Sequence, residues 1–307
     1  MYKIELGKSG LMVPTVAVGC MRIAELGEKK LAQMIDTCLS HEANFFDHAD
    51  IYGVTQLGEC EAAFGKVLTP ELREKLIIQS KCGIVCGKMF DFSYEHIVSS
   101  VEGSLKRLGT DYLDVLLLHR PDALMEPEEV AKAFDYLKSS GKVRQFGVSN
   151  QNPYQMQLLQ NAMDMPICAN QMQMSIMHSP MISWGINANM YNDSAVNRDG
   201  GVLDYCRLNK ITIETWSPMQ YGFFEGCFID SDKFPELNAC LDSMAEKYGV
   251  SKTTLAIAWI LRHPAKMQPV TGTTNLTRLT DCLRAADVRL SREDWYAIYM
   301  AAGNVLP

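Results

Sequence analysis

The sequence has no run approaching 18 apolar residues, no low-complexity stretch and no change of composition along its 307 residues. The first absence argues against a membrane-spanning helix, and the others argue against linkers between separate domains. The opening residues also show no basic segment that leads into an apolar one, as a signal peptide requires. We therefore expect a cytoplasmic protein.

Paired cysteines and an excess of basic charge are also missing. The ten cysteines are scattered and form no Cys-x-x-Cys pair, so neither a disulfide scaffold nor a zinc ribbon is predicted. Lysine and arginine number 29 against 36 aspartate and glutamate residues, which gives a net charge of −7. Such a chain lacks the excess of positive charge that binds nucleic acid. The sequence does not indicate the oligomeric state.

What the chain does contain is a regular alternation of apolar runs and amphipathic segments. Residues 2–13 alternate about a glycine turn, which predicts an N-terminal β-hairpin. Eight strand-like runs follow at 16–19, 44–46, 76–79, 113–118, 145–148, 167–170, 211–214 and 267–270. Helical patterns lie between them, for example at 31–38, 96–108, 128–139, 153–161, 234–248 and 252–262.

Eight evenly spaced β–α units predict an α/β fold, a single (β/α)8 TIM barrel domain that spans residues 1–307. A doubly wound open sheet is the alternative, but it normally needs a glycine-rich turn that does not follow Gly19. Residues 177–201 and 220–235 are too long for ordinary connections. Because both follow strands, we expect them as extra loops or helices on the C-terminal face, where barrel enzymes bind substrate.

Polar or titratable side chains directly follow five successive predicted strands. The first polar residue at each of the five strand ends is, in order, Asp47, Ser80, His119, Ser149 and Asn170. Because the C-terminal ends of barrel strands meet at one face, these side chains are expected to lie together. One such residue commonly caps a strand, but five in succession predict an active site.

The motifs that carry these residues resemble the aldo-keto reductase superfamily along essentially the whole chain. The opening LGKSGLMV (6–13), DHADIYG (47–53), GKVRQFGVSN (141–150) and PVTGT (269–273) match in order and spacing, as do Lys81, His119 and Asn170-Gln171. The resemblance is strongest to bacterial members, most of which are described only as oxidoreductases. It implies an NAD(P)H-dependent oxidoreductase that interconverts carbonyl and alcohol groups.

The resemblance implies a catalytic set of Asp47, Tyr52, Lys81 and His119. Carbonyl reduction needs a hydride at carbon and a proton at oxygen, and Tyr52 is expected to give the proton as general acid. A free tyrosine has a pKa near 10, which a neighbouring Lys81 ammonium lowers. Asp47 is expected to hold that lysine, and His119 to hydrogen-bond the carbonyl oxygen.

The resemblance also implies a cofactor site. Ser149, Asn150 and Gln171 match residues that hold the nicotinamide carboxamide, and Trp216 falls where an aromatic side chain stacks on its ring. Arg278 matches the arginine that pairs with the 2′-phosphate, although Gly272 stands where many members have lysine. We expect NADPH, with NADH as the alternative. The full expected set is Gly19, Cys20, Met21, Ser149, Asn150, Gln171, Trp216, Ser217, Pro218, Met219, Thr273, Asn275 and Arg278.

The substrate is expected to be an aldehyde, a ketone or a sugar-like carbonyl compound. Its predicted contacts are Arg22, Tyr52, His119 and Arg120, but both arginines could instead pair with Asp50 or Asp122.

Two further features of the sequence have a functional interpretation and a structural alternative. Methionines cluster at 172–181, either as an adaptable substrate wall or as ordinary core. Cys20 lies next to the predicted site and is expected to be more reactive than the other thiols.

Two other functions compete with carbonyl reduction. A metal-dependent barrel hydrolase would use Asp47, His48, Asp50 and His119 as ligands, but the chain lacks a His-x-His pair on its first strand. We therefore predict no metal. A nicotinamide-binding regulatory or redox-sensing subunit with vestigial activity is the second alternative, and the intact catalytic set argues against it.

Overall fold

The computed structural model describes residues 1–307, and eight parallel strands form a closed barrel at its centre. The strands are β1 Ala17–Gly19, β2 Phe45–Asp47, β3 Ile77–Cys82, β4 Leu113–Leu118, β5 Val143–Ser149, β6 Ala169–Gln173, β7 Thr212–Trp216 and β8 Gln268–Thr271. Each strand pairs with its neighbours in chain order, and β8 pairs with β1 to close the barrel. The predicted (β/α)8 fold is confirmed.

Twelve α-helices surround the strands. They are α1 Glu28–Ser40, α2 Glu59–Gly65, α3 Pro70–Arg73, α4 Tyr94–Leu108, α5 Pro127–Ser139, α6 Pro153–Ala162, α7 Pro180–Ile186, α8 Val202–Asn209, α9 Pro235–Tyr248, α10 Lys252–Leu261, α11 Leu276–Arg284 and α12 Arg292–Ala301. Short 3-10 turns lie at Asp193–Ala195 and Ala285–Asp287. None of the helices has both the length and the apolar character needed to cross a lipid bilayer.

The strands are buried on both faces, which explains their apolar runs. All six residues of β4 are buried, and so are all six of β3 although that strand carries Gln79, Ser80 and Lys81. Outward-facing strand residues pack against the helices in one large core. Polar side chains in such strands therefore need hydrogen-bond partners, and Gln79 and Lys81 find theirs within the barrel.

The predicted N-terminal hairpin is present and covers the bottom of the barrel. Its strands, Lys3–Glu5 and Met12–Pro14, pair antiparallel, and Ile4, Leu6 and Val13 pack with inward-facing strand residues in a second core. Gly7 lies in the left-handed region, and a Cβ there would meet the Cys168 carbonyl oxygen at 2.4 Å. The hairpin thus closes the end of the barrel opposite to the polar strand ends.

Several predicted boundaries differ from the structure. Segment 177–201 contains helix as well as loop, as expected, because α7 starts at Pro180 and a 3-10 turn follows at 193–195. Strand β6 starts two residues later than predicted and runs through Gln171 to Gln173, which the polar residues had concealed. Segment 220–235 contains a short antiparallel pair, Gln220–Tyr221 with Gly226–Cys227. A similar pair, Ile84–Val85 with Met89–Phe90, follows β3.

Candidate active site

A cavity of about 1000 Å³ opens at the C-terminal ends of the strands. It brings together almost every residue that the sequence singled out. The predicted residues that line it are Gly19, Met21, Arg22, Asp47, Tyr52, His119, Arg120, Ser149, Asn150, Gln171, Trp216, Ser217, Pro218, Met219, Thr273, Asn275 and Arg278. Lys81 lies fully buried behind this lining, and Cys20 is buried outside it.

Lys81 is the centre of the buried polar contacts beneath the cavity. Its Nζ donates to Asp47 Oδ1 at 2.6 Å, to the His48 carbonyl oxygen at 2.8 Å and to the Tyr52 hydroxyl at 3.3 Å. An ammonium has three N–H bonds, so these contacts use all of its donors. The side chain is completely buried, and its geometry is therefore fixed by strands β2 and β3.

Electrostatics keep Lys81 charged and Tyr52 protonated. Burial disfavours the ammonium, but Asp47, Tyr52 and Glu214 together more than offset this and hold the pKa of Lys81 above its usual range. Burial also raises the pKa of Tyr52, while Lys81 acts in the opposite direction. The contribution of Lys81 thus has the predicted sign, but the predicted net lowering of the tyrosine pKa is wrong because desolvation is larger.

His119 follows β4 and faces the tyrosine. The two rings meet edge to face with their centroids 5.9 Å apart. Burial, and then the charges of Lys81 and Arg120, lower the pKa of His119 well below its usual range. Its Nδ1 is buried without a hydrogen-bond partner. The ring is therefore a neutral imidazole in the cavity wall, able to donate one hydrogen bond.

A second buried carboxylate, Glu214 of β7, lies beside Asp47. Gln79 Nε2 donates to Asp47 Oδ1 and to Glu214 Oε2, both at 2.7 Å. Gln171 Nε2 donates to the same two oxygens, at 3.2 and 2.7 Å. These four residues form a closed arrangement that we call the amide–carboxylate ring. Burial, and then the charge of Asp47, raise the pKa of Glu214 to about 7.

The ends of β5 and β7 form a chain of hydrogen bonds along one wall. Trp216 Nε1 donates to Asn150 Oδ1 at 3.1 Å, and Asn150 Nδ2 donates to Ser149 Oγ at 2.7 Å. Ser149 Oγ in turn donates to the Gln171 carbonyl oxygen at 3.0 Å. Asn150 and Ser217 both adopt left-handed backbone, with φ of 57° and 53°. Such strained positions cluster at ligand sites.

The opposite wall is built where β8 leads into α11. The Asn275 side chain caps this helix by accepting from the Arg278 backbone N–H at 3.0 Å. The Arg278 guanidinium forms no ion pair within the chain and lines the cavity. Arg22 Nη1 donates to the Gly272 carbonyl oxygen at 3.3 Å. This wall therefore presents a helix N-terminus and two arginines, an arrangement that favours an anion.

Comparisons with known proteins place the chain in a family. The profile of the aldo/keto reductase family matches residues 15–301. The chain is 36% identical to 6-dehydroglucose reductase of Agrobacterium fabrum, over 98% of each chain. It is 34% identical to the oxidoreductase YdhF of Escherichia coli, over 98% of this chain and 97% of that one.

The chain belongs to the aldo/keto reductase family. It is accordingly an NAD(P)H-dependent oxidoreductase that acts on carbonyl groups. The barrel also superposes on the structure of the thermostable aldo-keto reductase Tm1743, solved with the inhibitor epalrestat, with a TM-score of 0.77 and 24% identity. That match covers 98% of this chain and all of the other, and it bears on the fold alone.

The alternative role of the two arginines is not found in this aldo/keto reductase, and the predicted reactivity of Cys20 is wrong. Neither Arg22 nor Arg120 pairs with Asp50 or Asp122, because Arg22 contacts a carbonyl oxygen and Arg120 lies 5.6 Å from the centroid of the Trp216 ring. The Cys20 thiol lacks the exposure and the lowered pKa that a reactive cysteine needs. It is fully buried, and burial holds its pKa well above the usual range.

The methionine cluster at 172–181 is core and not a substrate wall. Met174 and Met181 are buried, Met172 and Met177 pack against the main core, and none of the four lines the cavity. Ordinary packing was the alternative reading of these residues, and the structure supports it.

The active-site cavity of this family member includes residues that were not among the predicted site residues, although segment 220–235 was expected on this face. Phe223 and Phe224, from the long segment 220–235, stack around Trp216 and line the opening. Their pairing in a loop after a strand was the available signal. Glu214 was also missed, although a glutamate inside a strand with both faces buried signals a buried carboxylate.

The ligands required by the hydrolase alternative are not assembled. No group of three or more His, Cys, Asp or Glu side chains is arranged to hold a metal ion. Asp47 is engaged by Lys81, and His48 packs edge-on against Phe64 with both ring nitrogens buried and unpartnered. Burial, and then Lys81, lower the pKa of His48 to about 3.

The titration of Glu214 makes stability depend on pH. Its pKa of about 7 exceeds the ordinary value of 4.5, so between these values the folded chain binds a proton that the unfolded chain lacks. The wild type therefore loses stability as pH rises through this window. We expect Glu214→Gln to remove this loss, so that its free energy of unfolding relative to wild type increases from pH 5 to pH 8, by on the order of 3 kcal/mol at most.

Urea unfolding at both pH values measures this difference. Glu128→Gln, which alters an exposed carboxylate at the start of α5, is the matched control and is expected to show no such trend. A stability difference between Glu214→Gln and wild type that is equal at pH 5 and pH 8 would contradict the prediction.

Proposed function

We propose that this aldo/keto reductase uses NADPH to reduce a sugar-like aldehyde or ketone to an alcohol, with Tyr52 as general acid. The observation that carries the proposal is the Tyr52 hydroxyl in the cavity wall, 3.3 Å from an ammonium that Asp47 holds at 2.6 Å. We also propose that residues 1–307 act as one domain, since the site draws on strands from β1 to β8.

The lining of the cavity suits a dinucleotide. Ser149, Asn150 and Gln171 are proposed to hold the nicotinamide carboxamide, and the Trp216 ring to face the nicotinamide. The helix N-terminus at Asn275 and the unpaired Arg278 are proposed to hold phosphate groups. When bound, the nicotinamide supplies the hydride that the carbonyl carbon accepts.

The protein's own part is to place and supply the proton. Tyr52 is protonated at neutral pH, the form that a general acid needs, and burial raises its pKa further. The buried Lys81 ammonium lies against the hydroxyl and is placed to stabilise the tyrosinate left after proton transfer. Neutral His119 can donate a hydrogen bond to the carbonyl oxygen and so orient the substrate toward Tyr52.

The substrate is proposed to be a small polyhydroxylated carbonyl compound. Two relatives of the chain are named 6-dehydroglucose reductase, at 36% and 34% identity. The guanidinium of Arg120 lies over the rings of Trp216 and Phe223 beside the catalytic residues, without a carboxylate partner. Guanidinium donors next to aromatic faces suit hydroxyl groups and the apolar faces of a sugar.

The regulatory-subunit alternative is not favoured. A subunit that only senses the nicotinamide has no need for a buried ion pair against a tyrosine hydroxyl, and keeping two buried charges is costly. In this chain Lys81 hydrogen-bonds both Asp47 and Tyr52, and the His119 ring packs against the Tyr52 ring.

Removing the Tyr52 hydroxyl separates catalysis from binding. We expect Tyr52→Phe to reduce kcat at least ~100-fold, because general acid catalysis is lost, and to change the Kd for NADPH less than about threefold. Turnover is followed by NADPH absorbance on a panel of carbonyl compounds, and binding by quenching of tryptophan fluorescence. Activity retained in Tyr52→Phe would exclude this residue as the acid.

Removing the Arg278 guanidinium tests the choice of cofactor. We expect Arg278→Ala to raise the Kd for NADPH by about 10- to 100-fold through the loss of a charge-assisted bond to the 2′-phosphate, and to alter the Kd for NADH little. Arg284→Ala, another exposed arginine of α11 outside the cavity, is the control. Equal losses for the two cofactors would show that Arg278 does not read the 2′-phosphate.

A further inference from the structure

The amide–carboxylate ring dictates how the Gln171 side chain is turned. An ionised carboxylate only accepts hydrogen bonds, so above about pH 7, where Glu214 is ionised like Asp47, an amide placed against both must turn its NH₂ group toward them. Gln171 Nε2 meets both Asp47 Oδ1 and Glu214 Oε2, which uses its two N–H bonds. The carbonyl oxygen Oε1 is then the only group of this amide left for a ligand.

Glu214 makes the stronger contribution to this orientation. Its Oε2 lies 2.7 Å from Gln171 Nε2, against 3.2 Å for Asp47 Oδ1. Asp47 Oδ1 is also shared with Gln79 and with the ammonium of Lys81. The Glu214 carboxyl, by contrast, is completely buried and contacts only the two amides. It touches neither Tyr52 nor Lys81 by hydrogen bond.

We propose that Glu214 is a positioning residue that turns Gln171 Oε1 toward the cavity as an acceptor for the nicotinamide carboxamide N–H. This inference rests on the proposed function, in which Gln171 holds the carboxamide. The new element is that Glu214, which lies on a different strand and does not line the cavity, determines how Gln171 recognises the carboxamide. A Gln171 amide without this constraint can rotate and present its NH₂ group instead.

Two variants at this position separate the acceptor from the charge. Glu214→Met removes the acceptor with a flexible side chain of similar length. Glu214→Gln keeps an oxygen that both amides can reach and removes the negative charge. Because Gln restores the acceptor, it is the matched conservative control.

Three probes report on the carboxamide without measuring turnover. NADPH carries the carboxamide, and reduced 3-acetylpyridine adenine dinucleotide phosphate replaces it with an acetyl group that has no N–H. ADP-ribose 2′-phosphate has no nicotinamide at all. Each Kd is obtained at pH 8, where Glu214 is ionised, from quenching of tryptophan fluorescence for wild type and both variants.

The proposal predicts a specific pattern among the three probes. Wild type and Glu214→Gln bind NADPH about tenfold tighter than the acetylpyridine analogue, as expected for one hydrogen bond to a buried acceptor. Glu214→Met loses this preference, while its Kd for ADP-ribose 2′-phosphate stays within about twofold of wild type. A purely structural role for Glu214 would weaken all three probes together.

Two results would overturn the proposal. One is a Glu214→Met variant that keeps the wild-type preference for NADPH over the analogue, and the other is a parallel loss of all three ligands. If Glu214→Met does not fold, Glu214→Ser is measured instead, since its hydroxyl is too short to reach Gln171 Nε2, and the same criteria apply. Wild type that fails to bind NADPH would contradict the proposed function itself, which is a different result.

Discussion

The buried ion pair between Lys81 and Asp47 is the interaction on which the site depends. Two charges removed from water are costly, and their attraction offsets that cost only with good geometry and full hydrogen bonding. The two atoms that form the pair are well hydrogen-bonded, since the Lys81 ammonium uses all three donors and Asp47 Oδ1 accepts from three nitrogens. The pair is thus a fixed positive charge against Tyr52, held in place by neighbouring strands of a rigid barrel.

The barrel gives this ion pair its surroundings. Parallel strands bring their C-terminal ends to one face, so residues 47, 81, 119, 149 and 171 meet although they are far apart in the chain. The N-terminal hairpin covers the other end with apolar side chains. Toward the open end of the barrel, the Gln79 and Gln171 amides hydrogen-bond Glu214 and hold Asp47.

Much of this arrangement could be predicted from the sequence, because it depends on local patterns. Apolar runs of four to six residues predict strands, and the motif at 47–53 predicts which side chains reach the cavity. Glu214 could not be predicted in its role, since its partners come from two other strands and only the closed barrel brings them together. The net pKa of Tyr52 likewise depends on how completely the ring is buried, which no motif specifies. Phe223 and Phe224 required the path of a long loop that has no periodic pattern.

The central claim is that the Lys81–Asp47 pair makes Tyr52 an effective acid. The most direct test is the double variant Lys81→Met with Asp47→Asn, which removes both charges of the pair together, so that neither is left buried without the other. Single-turnover oxidation of bound NADPH is measured with a reactive aldehyde. The account predicts a rate at least ~100-fold below wild type with NADPH still bound at near wild-type affinity. A rate within tenfold of wild type would contradict it.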